Sequence, residues 1–305
     1  MPLSNKDRSR FAAYSAPFKV VDGRKFRLRD FDPRDTLHLE SSDKPRAQEG
    51  LRRGIECLAA LQDRLYAQDR WSVLLIFQAM DAAGKDGAIE HVFSGVNPQG
   101  CQVTSFKAPS SEELDHDYLW RCIRALPERG RIGVFNRSYY EEVLVVRVHE
   151  EILRAQKLPA GLVGKKIWRQ RYEDIGNFER YLARNGTLIL KFFLNLSRGE
   201  QKKRFLARID DPDKNWKFEL GDVRERGHWA EYMSAYEDMI RATSSPHAPW
   251  YVIPADNKWF TRLSVASAVI DAIAALDLQY PRLDRQQRDA LKEARVALLA
   301  EKGRD

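Results

Sequence analysis

The segment WSVLLIFQA (residues 71–79) runs directly into MDAAGKDG (80–87), and the junction between them decides the fold. A continuous apolar run without polar alternation reads as a strand buried on both faces, the signature of a parallel sheet. Glycines follow at once, and a helical segment is expected over Lys85 to Val96. A loop between such a strand and such a helix directs backbone N–H groups and a helix N-terminus at one point, which makes an anion cradle. Ala83, Gly84, Lys85, Asp86 and Gly87 are its candidate phosphate-binding residues, and Lys85 can neutralise phosphate charge during transfer. Against the pattern G-x-x-x-x-G-K-[ST] two positions depart: Ala79 replaces the first glycine, and Asp86 replaces the hydroxyl residue that holds Mg²⁺. Taken alone, GKDG also fits a turn that merely joins strand to helix.

Outward from the loop, strand and helix signals alternate. Leu51, Ile55, Leu58, Leu61 and Leu65 form a helical stripe over 49–69. Strands are expected at 101–106, 131–135, 187–194 and 249–254. Ser110 to Glu113 offers a capping box for a helix to about 126, a long helix covers about 161–184, and Ser197 to Glu200 caps a basic helix. Residues 258–277 are expected to be helical. The alternation predicts an α/β fold with a central parallel sheet flanked by helices. We expect an N-terminal arm (1–48), broken by Pro17, Pro33 and Pro45, a phosphotransferase domain (49–282) with a lid at about 198–228, and a charged helical tail (283–305).

Two further segments support the loop. RIGVFNRSYYEEV (131–143) puts Asn136, Arg137 and Glu141 just past a strand's C-terminal end, the edge where open α/β sheets bind ligands. Arg137 is a natural phosphate clamp. Asp81 and Glu141 are the candidate Mg²⁺ carboxylates, with Glu142 competing for the second place because helix phase is uncertain by a residue. The basic helix EQKKRFLARID (200–210) carries Lys203, Arg204 and Arg208, with Arg204 and Arg208 on one face at i, i+4. Such a face suits a lid that closes over phosphates and excludes water, although a solvated surface helix has the same pattern.

The 305-residue chain is 43% hydrophobic, enough for a sizeable core, and carries a formal net charge of +7 that suits an anionic ligand. Cys57, Cys101 and Cys122 show no paired spacing, which argues against a zinc site or disulfide framework and fits a reducing compartment. The N-terminal residues lack an apolar signal region and no run is long enough to span a membrane, so a cytoplasmic location is expected.

The sequence resembles the type 2 polyphosphate kinases over about residues 20–280. MDAAGKDG (80–87), SGVNPQG (94–100), FNRSYYEEV (135–143) and WKFELGD (216–222) match that family's pattern nearly unbroken. Asn136 with Glu141 looks like the class III subgroup, although Tyr139 stands where that subgroup commonly has histidine. The resemblance implies a thymidylate-kinase-like P-loop kinase fold with a helical lid, and a homo-oligomer, dimer or tetramer. It implies Mg²⁺ dependence (Mn²⁺ being an alternative) and transfer between polyphosphate and AMP, ADP or ATP, with guanine nucleotides as further acceptors. Carried over by residue, Lys85 and Arg137 would bind the transferring phosphate, Asp81 and Glu141 would hold Mg²⁺, and Arg204 and Arg208 would be lid arginines.

The expected chemistry is direct in-line transfer, whose main demand is offsetting repulsion between anions. A nucleotide phosphate oxygen is already ionised near neutral pH, so no general base is required, and His91 on the loop helix is expected to be a packing or surface residue. The rival readings are an ATP-dependent nucleotide kinase and a non-enzymatic basic polyanion-binding protein. The second leaves Asp81, Asp86 and Glu141 unexplained, and no nucleic-acid-binding motif supports it.

Overall fold

The structure, a computed structural model, describes residues 11–301. Its centre is a six-stranded sheet, β1 (Lys19–Val20), β2 (Ser72–Gln78), β3 (Cys101–Ser105), β4 (Ile132–Asn136), β5 (Thr187–Asn195) and β6 (Trp250–Pro254), in the order β1-β6-β5-β2-β4-β3. All pairings are parallel except that of β1 with β6. β2 lies in the middle and every residue in it is buried. Val73, Leu75 and Phe77 enter the core on one face, while Leu74 and Ile76 enter the core on the other. Two-sided burial is the reason its sequence is an unbroken apolar run.

The first face is covered by α1 (Lys44–Gln68), α2 (Lys85–Phe93) and, after β6, a helix at Lys258–Ala274. The second is covered by α3 (Ile167–Arg184) and the helix Trp229–Thr243. Between these, α4 (Arg198–Ile209) and α5 (Leu220–Glu225) follow β5; α6 denotes Trp229–Thr243, α7 Lys258–Ala274 and α8 Arg285–Ala300. Phe77 pairs with Asn136, and Gln78 with Phe193, so the C-terminal ends of β2, β4 and β5 share one edge. Strand order reverses at β2, which places a crevice there.

Local boundaries differ from the sequence expectation in two places. α1 begins at Lys44, with Pro45 in its first turn, so the arm boundary at 48 falls inside the helix. A proline there lacks only an N–H that has no intrahelical partner anyway. The stretch after Ser110 forms its capping box but breaks into two short helices, Ser111–Leu114 and Trp120–Arg124. The arm is also stitched to the body. Besides β1, Asn195 Nδ2 donates to Phe31 O at 2.8 Å, and Asp256 N donates to Pro33 O at 3.1 Å. A two-residue strand has no periodicity to read. The first ten residues of the arm and the last four of the tail lie outside the described residues.

Candidate active site

The loop between β2 and α2 is shaped by two left-handed residues, Ala82 (φ 61°) and Gly84 (φ 98°). Gly84 is the N-cap of α2, so the first-turn N–H groups of Lys85, Asp86 and Gly87 have no intrahelical acceptor and remain for an anion. Lys85 is buried and its Nζ donates to Ala79 O at 2.9 Å, across the loop it closes. Burial, and then the neighbouring charge of Arg137, pull its pKa below the ordinary lysine value.

β4 delivers the second group. Arg137 follows the strand in a left-handed conformation (φ 65°), with its N–H donating to Phe77 O at 3.0 Å. Its guanidinium donates to Asp81 Oδ1 at 2.9 Å and to Glu141 Oε2 at 3.3 Å. Glu141, then Asp81, hold the Arg137 pKa above its ordinary value despite burial. The second oxygen of Glu141 accepts from Gln78 Nε2 at 3.1 Å. Asn136 Nδ2 donates to Asp86 Oδ1 at 2.6 Å. Asp81, Lys85, Asp86, Arg137 and Glu141 therefore meet at one edge of the sheet. Glu142 turns the other way: it is buried and accepts from Arg171 Nε at 3.0 Å and Gln156 Nε2 at 2.8 Å. Burial raises its pKa. The phase ambiguity between the two glutamates thus resolves in favour of Glu141 on the loop side. The His91 ring bonds Gly87 O within its own helix.

Arg204 corrects the sequence reading. It is buried, and all five of its N–H donors are taken: Nε by Glu200 Oε1 (3.0 Å), Nη1 by Ala82 O and Ala83 O (3.0 Å each), and Nη2 by Ala255 O (2.7 Å) and Asp256 O (3.0 Å). An arginine has no further donor for a phosphate. By holding carbonyls of the loop from behind, it turns the loop's N–H groups outward. Gln201 adds a bond from Nε2 to Asp81 O at 2.9 Å. Of the other expected lid cations, Lys203 is exposed beside Glu200 at 3.7 Å, and Arg208 lies 3.9 Å from Asp222.

Three charged residues that the sequence did not single out lie among the charges around these groups. Asp222, in the GD of WKFELGD, lies in α5 with its pKa raised by burial and by the charge of Asp81. Lys258 and Arg262 sit one turn apart at the start of α7, and neither has a hydrogen bond or salt bridge among the described residues. Burial, then Arg204 and Arg262, lower the Lys258 pKa. Arg262 Nη2 would lie 3.7 Å from a Cβ on Gly87, at the rim of the loop. A lysine in the first turn of a helix opposes the helix dipole, and that misplacement was a legible sign of an anion site.

The loop, its lysine and the strand-end arginine form an anion-accepting crevice at the sheet edge. The family model for polyphosphate kinase 2 (PPK2) matches residues 41–281. The chain belongs to the polyphosphate kinase 2 family. Its similarity to the ADP-polyphosphate phosphotransferase of Rhodopseudomonas palustris is 53% identity over 283 residues, 92% of this chain and 97% of the relative. To the AMP/ADP-polyphosphate phosphotransferase of Meiothermus ruber it is 46% over 265 residues, 87% and 95% of the two chains. Among solved structures, polyphosphate kinase 2 from Arthrobacter aurescens TC1 superposes with a TM-score of 0.80 at 40% identity, covering 90% of this chain and 95% of that one. The fold is thus the P-loop kinase-like fold of the polyphosphate kinase 2 proteins. Among the described residues no helix is long and apolar enough to cross a membrane.

Proposed function

We propose that this enzyme transfers phosphate in line between the end of an inorganic polyphosphate chain and the terminal phosphate of AMP or ADP, with guanine nucleotides as secondary acceptors. The observation that carries the reading is the meeting of Lys85 with Arg137, itself held between Asp81 and Glu141, at the mouth of a strand–loop–helix anion cradle. Loop N–H groups and Lys85 bind the transferring phosphate, and Arg137 releases one carboxylate to meet it. Both reactants are anions, so the residues work by offsetting repulsion in a site prearranged for it. No side chain need take a proton from an ionised phosphate oxygen. Cys101 and Cys122 take no part: burial pushes their thiols up to about 11 and about 12, which keeps them protonated near neutral pH.

The donor set fits Mg²⁺, and Mn²⁺ as its substitute. Asp81 and Glu141 offer hard oxygen atoms, and among the described residues no cluster of three His, Cys, Asp or Glu forms a complete metal cage. Mg²⁺ ordinarily takes one or two carboxylates and completes its shell with phosphate oxygens and water. Bound there, it would supply further neutralisation of phosphate charge.

Arg262 at the loop rim, with Lys258 one turn before it on α7, adds positive charge beyond the loop itself, which suits an extended polyanion as donor. The part of 198–228 beyond α4 serves as the lid, since α4 holds the loop from behind through Gln201 and Arg204, and the unit of phosphotransfer starts with α1 at Lys44. A homo-oligomer and a cytoplasmic site of action complete the reading. The test is incubation with polyphosphate and Mg²⁺, without ATP, and with AMP, ADP, GMP or GDP in turn. Phosphorylated product is expected from AMP and ADP; product only when ATP is supplied would instead make this an ordinary nucleotide kinase.

A further inference from the structure

The phosphotransfer chemistry leaves one buried ionised cluster unused. Lys191, in the middle of β5, and Glu179, on α3, are 0% and 1% exposed and form an ion pair at 2.6 Å. Lys191 Nζ also donates to Tyr140 Oη at 2.9 Å and to Thr243 O at 2.8 Å, so its three donors are all engaged. The other oxygen of Glu179 accepts from Tyr139 Oη at 2.9 Å and Tyr140 Oη at 2.7 Å. Trp250 Nε1 bonds Thr243 Oγ1 at 2.9 Å and closes the set against β6. An ion pair this deep is weak grounds for stability, since desolvation offsets most of its attraction; its best-attested use is to fix one geometry among several.

What it holds is the turn carrying the strand-end groups. Tyr139 and Tyr140 open the 3₁₀ turn Tyr139–Val143, which also contains Glu141. Arg137 stands two residues before Tyr139 in the left-handed region, a conformation that costs an arginine free energy and persists only where surroundings impose it. On one side it is pinned by its N–H to Phe77 O at 3.0 Å. On the other, fully buried Ser138 accepts from Tyr140 N at 3.1 Å, and then both tyrosines anchor to Glu179. We infer that the Glu179–Lys191 pair, acting through the hydroxyls of Tyr139 and Tyr140, is a positioning device that sets the orientation of Arg137 and Glu141 for phosphoryl transfer. The inference rests on the proposed roles of those two residues. It also gives Tyr139 a task, since a phenol reaches the carboxylate.

The test is a double-mutant cycle between Y139F/Y140F and R137K, assayed as kcat per folded molecule together with the Kd for ADP. Phenylalanine keeps the core volume but leaves one Glu179 oxygen and one Lys191 donor without these partners, so a lower melting temperature is expected; circular dichroism checks that the fold is kept, and kcat is taken per folded molecule. In the wild-type background Y139F/Y140F is expected to lower kcat about tenfold with the Kd for ADP within twofold. In the R137K background the same pair of changes is expected to lower kcat less than twofold, because the group being positioned is already compromised. A kcat unchanged in the wild-type background, or the same tenfold fall in both, would overturn the positioning role. If R137K itself retained full turnover, the proposed site would be at fault instead, and the two failures are therefore distinguishable. The charge-free variant E179Q/K191M removes the pair that anchors both tyrosines and is expected to lower kcat to a degree comparable with Y139F/Y140F, with the Kd for ADP within twofold; full turnover in the folded variant would overturn the role of the pair.

Discussion

Asn136 donates a 2.6 Å hydrogen bond to Asp86, joining the end of β4 to the first turn of α2. Asp86 stands where the common phosphate-loop pattern has a hydroxyl residue, and the Asn136 amide holds its carboxylate at the strand edge. Asn136→Asp would set two carboxylates against each other at that contact. Like charges about 4 Å apart repel by about 1–4 kcal/mol between bulk and near-surface dielectric conditions. The variant should melt earlier than wild type in EDTA and recover most of the difference in Mg²⁺, as seen by differential scanning fluorimetry in both buffers.

Lys85→Ala should reduce transfer by at least about a thousandfold, on the order of 4 kcal/mol of transition-state stabilisation. Its circular dichroism should match wild type. Near-normal turnover in a folded variant would remove the loop from the chemistry.

The depressed pKa of Lys85 has a direction that can be measured. Below its folded value the ammonium is present in both folded and unfolded chains. Between that value and the ordinary 10.5 the unfolded chain binds the extra proton, so this residue makes stability rise with pH across that window. Bound phosphate favours the charged form and moves the pKa back up. The alkaline limb of kcat/KM, which reports the free enzyme, should therefore lie at lower pH than the limb of kcat. Coincident limbs would mean that Lys85 does not meet the phosphate.

Arg204 and the outer cations should separate in their salt dependence. Arg204→Lys loses at least two of five bonds to buried acceptors and should destabilise the protein by about 2–4 kcal/mol, seen as a lower urea midpoint. Replacing Lys258 and Arg262 by glutamine should leave the midpoint almost unchanged. It should lower the slope of log affinity for polyphosphate against log salt by about one per cation. A slope that falls with Arg204 and not with the α7 pair would reverse these assignments.

Glu141→Gln should raise the Mg²⁺ requirement or shift the AMP-to-ADP preference. Glu142→Gln should do neither, because Glu142 serves Arg171 and Gln156; it should instead lower the melting temperature. Initial rates across a Mg²⁺ titration with both acceptors decide between them. Equal small effects would remove Glu141 from the site.

Much of this was legible in the chain. The run 71–79 disclosed a strand buried on both sides, and the glycines after it disclosed the loop, because both are local consequences of period and φ. Arg137 and Glu141 were legible as neighbours of a strand end. Arg204 was misread because i, i+4 spacing fixes a helix face and not what that face meets; here it meets loop carbonyls. Arg262 was missed because it comes near Gly87 only through packing of α7 on α2, some 175 residues away in sequence, and the first-turn lysine Lys258 was the one local sign of that site. The Glu179–Lys191 pair was invisible for the same reason: a lysine inside TLILKFFL gives no local sign of the carboxylate that neutralises it.

The arm that pairs with β6 has a practical corollary. Phe31 and Pro33 hold Asn195 and the backbone of Asp256, and Asp256 in turn binds Ser197 at the start of α4 and Arg204 behind the loop. Proteolytic nicking or shortening near residues 31–34 would therefore unseat groups that shape the catalytic crevice, although it removes none of them. The exposed helix α8, which buries no residue of its own, is the safer place for an affinity handle or surface immobilisation.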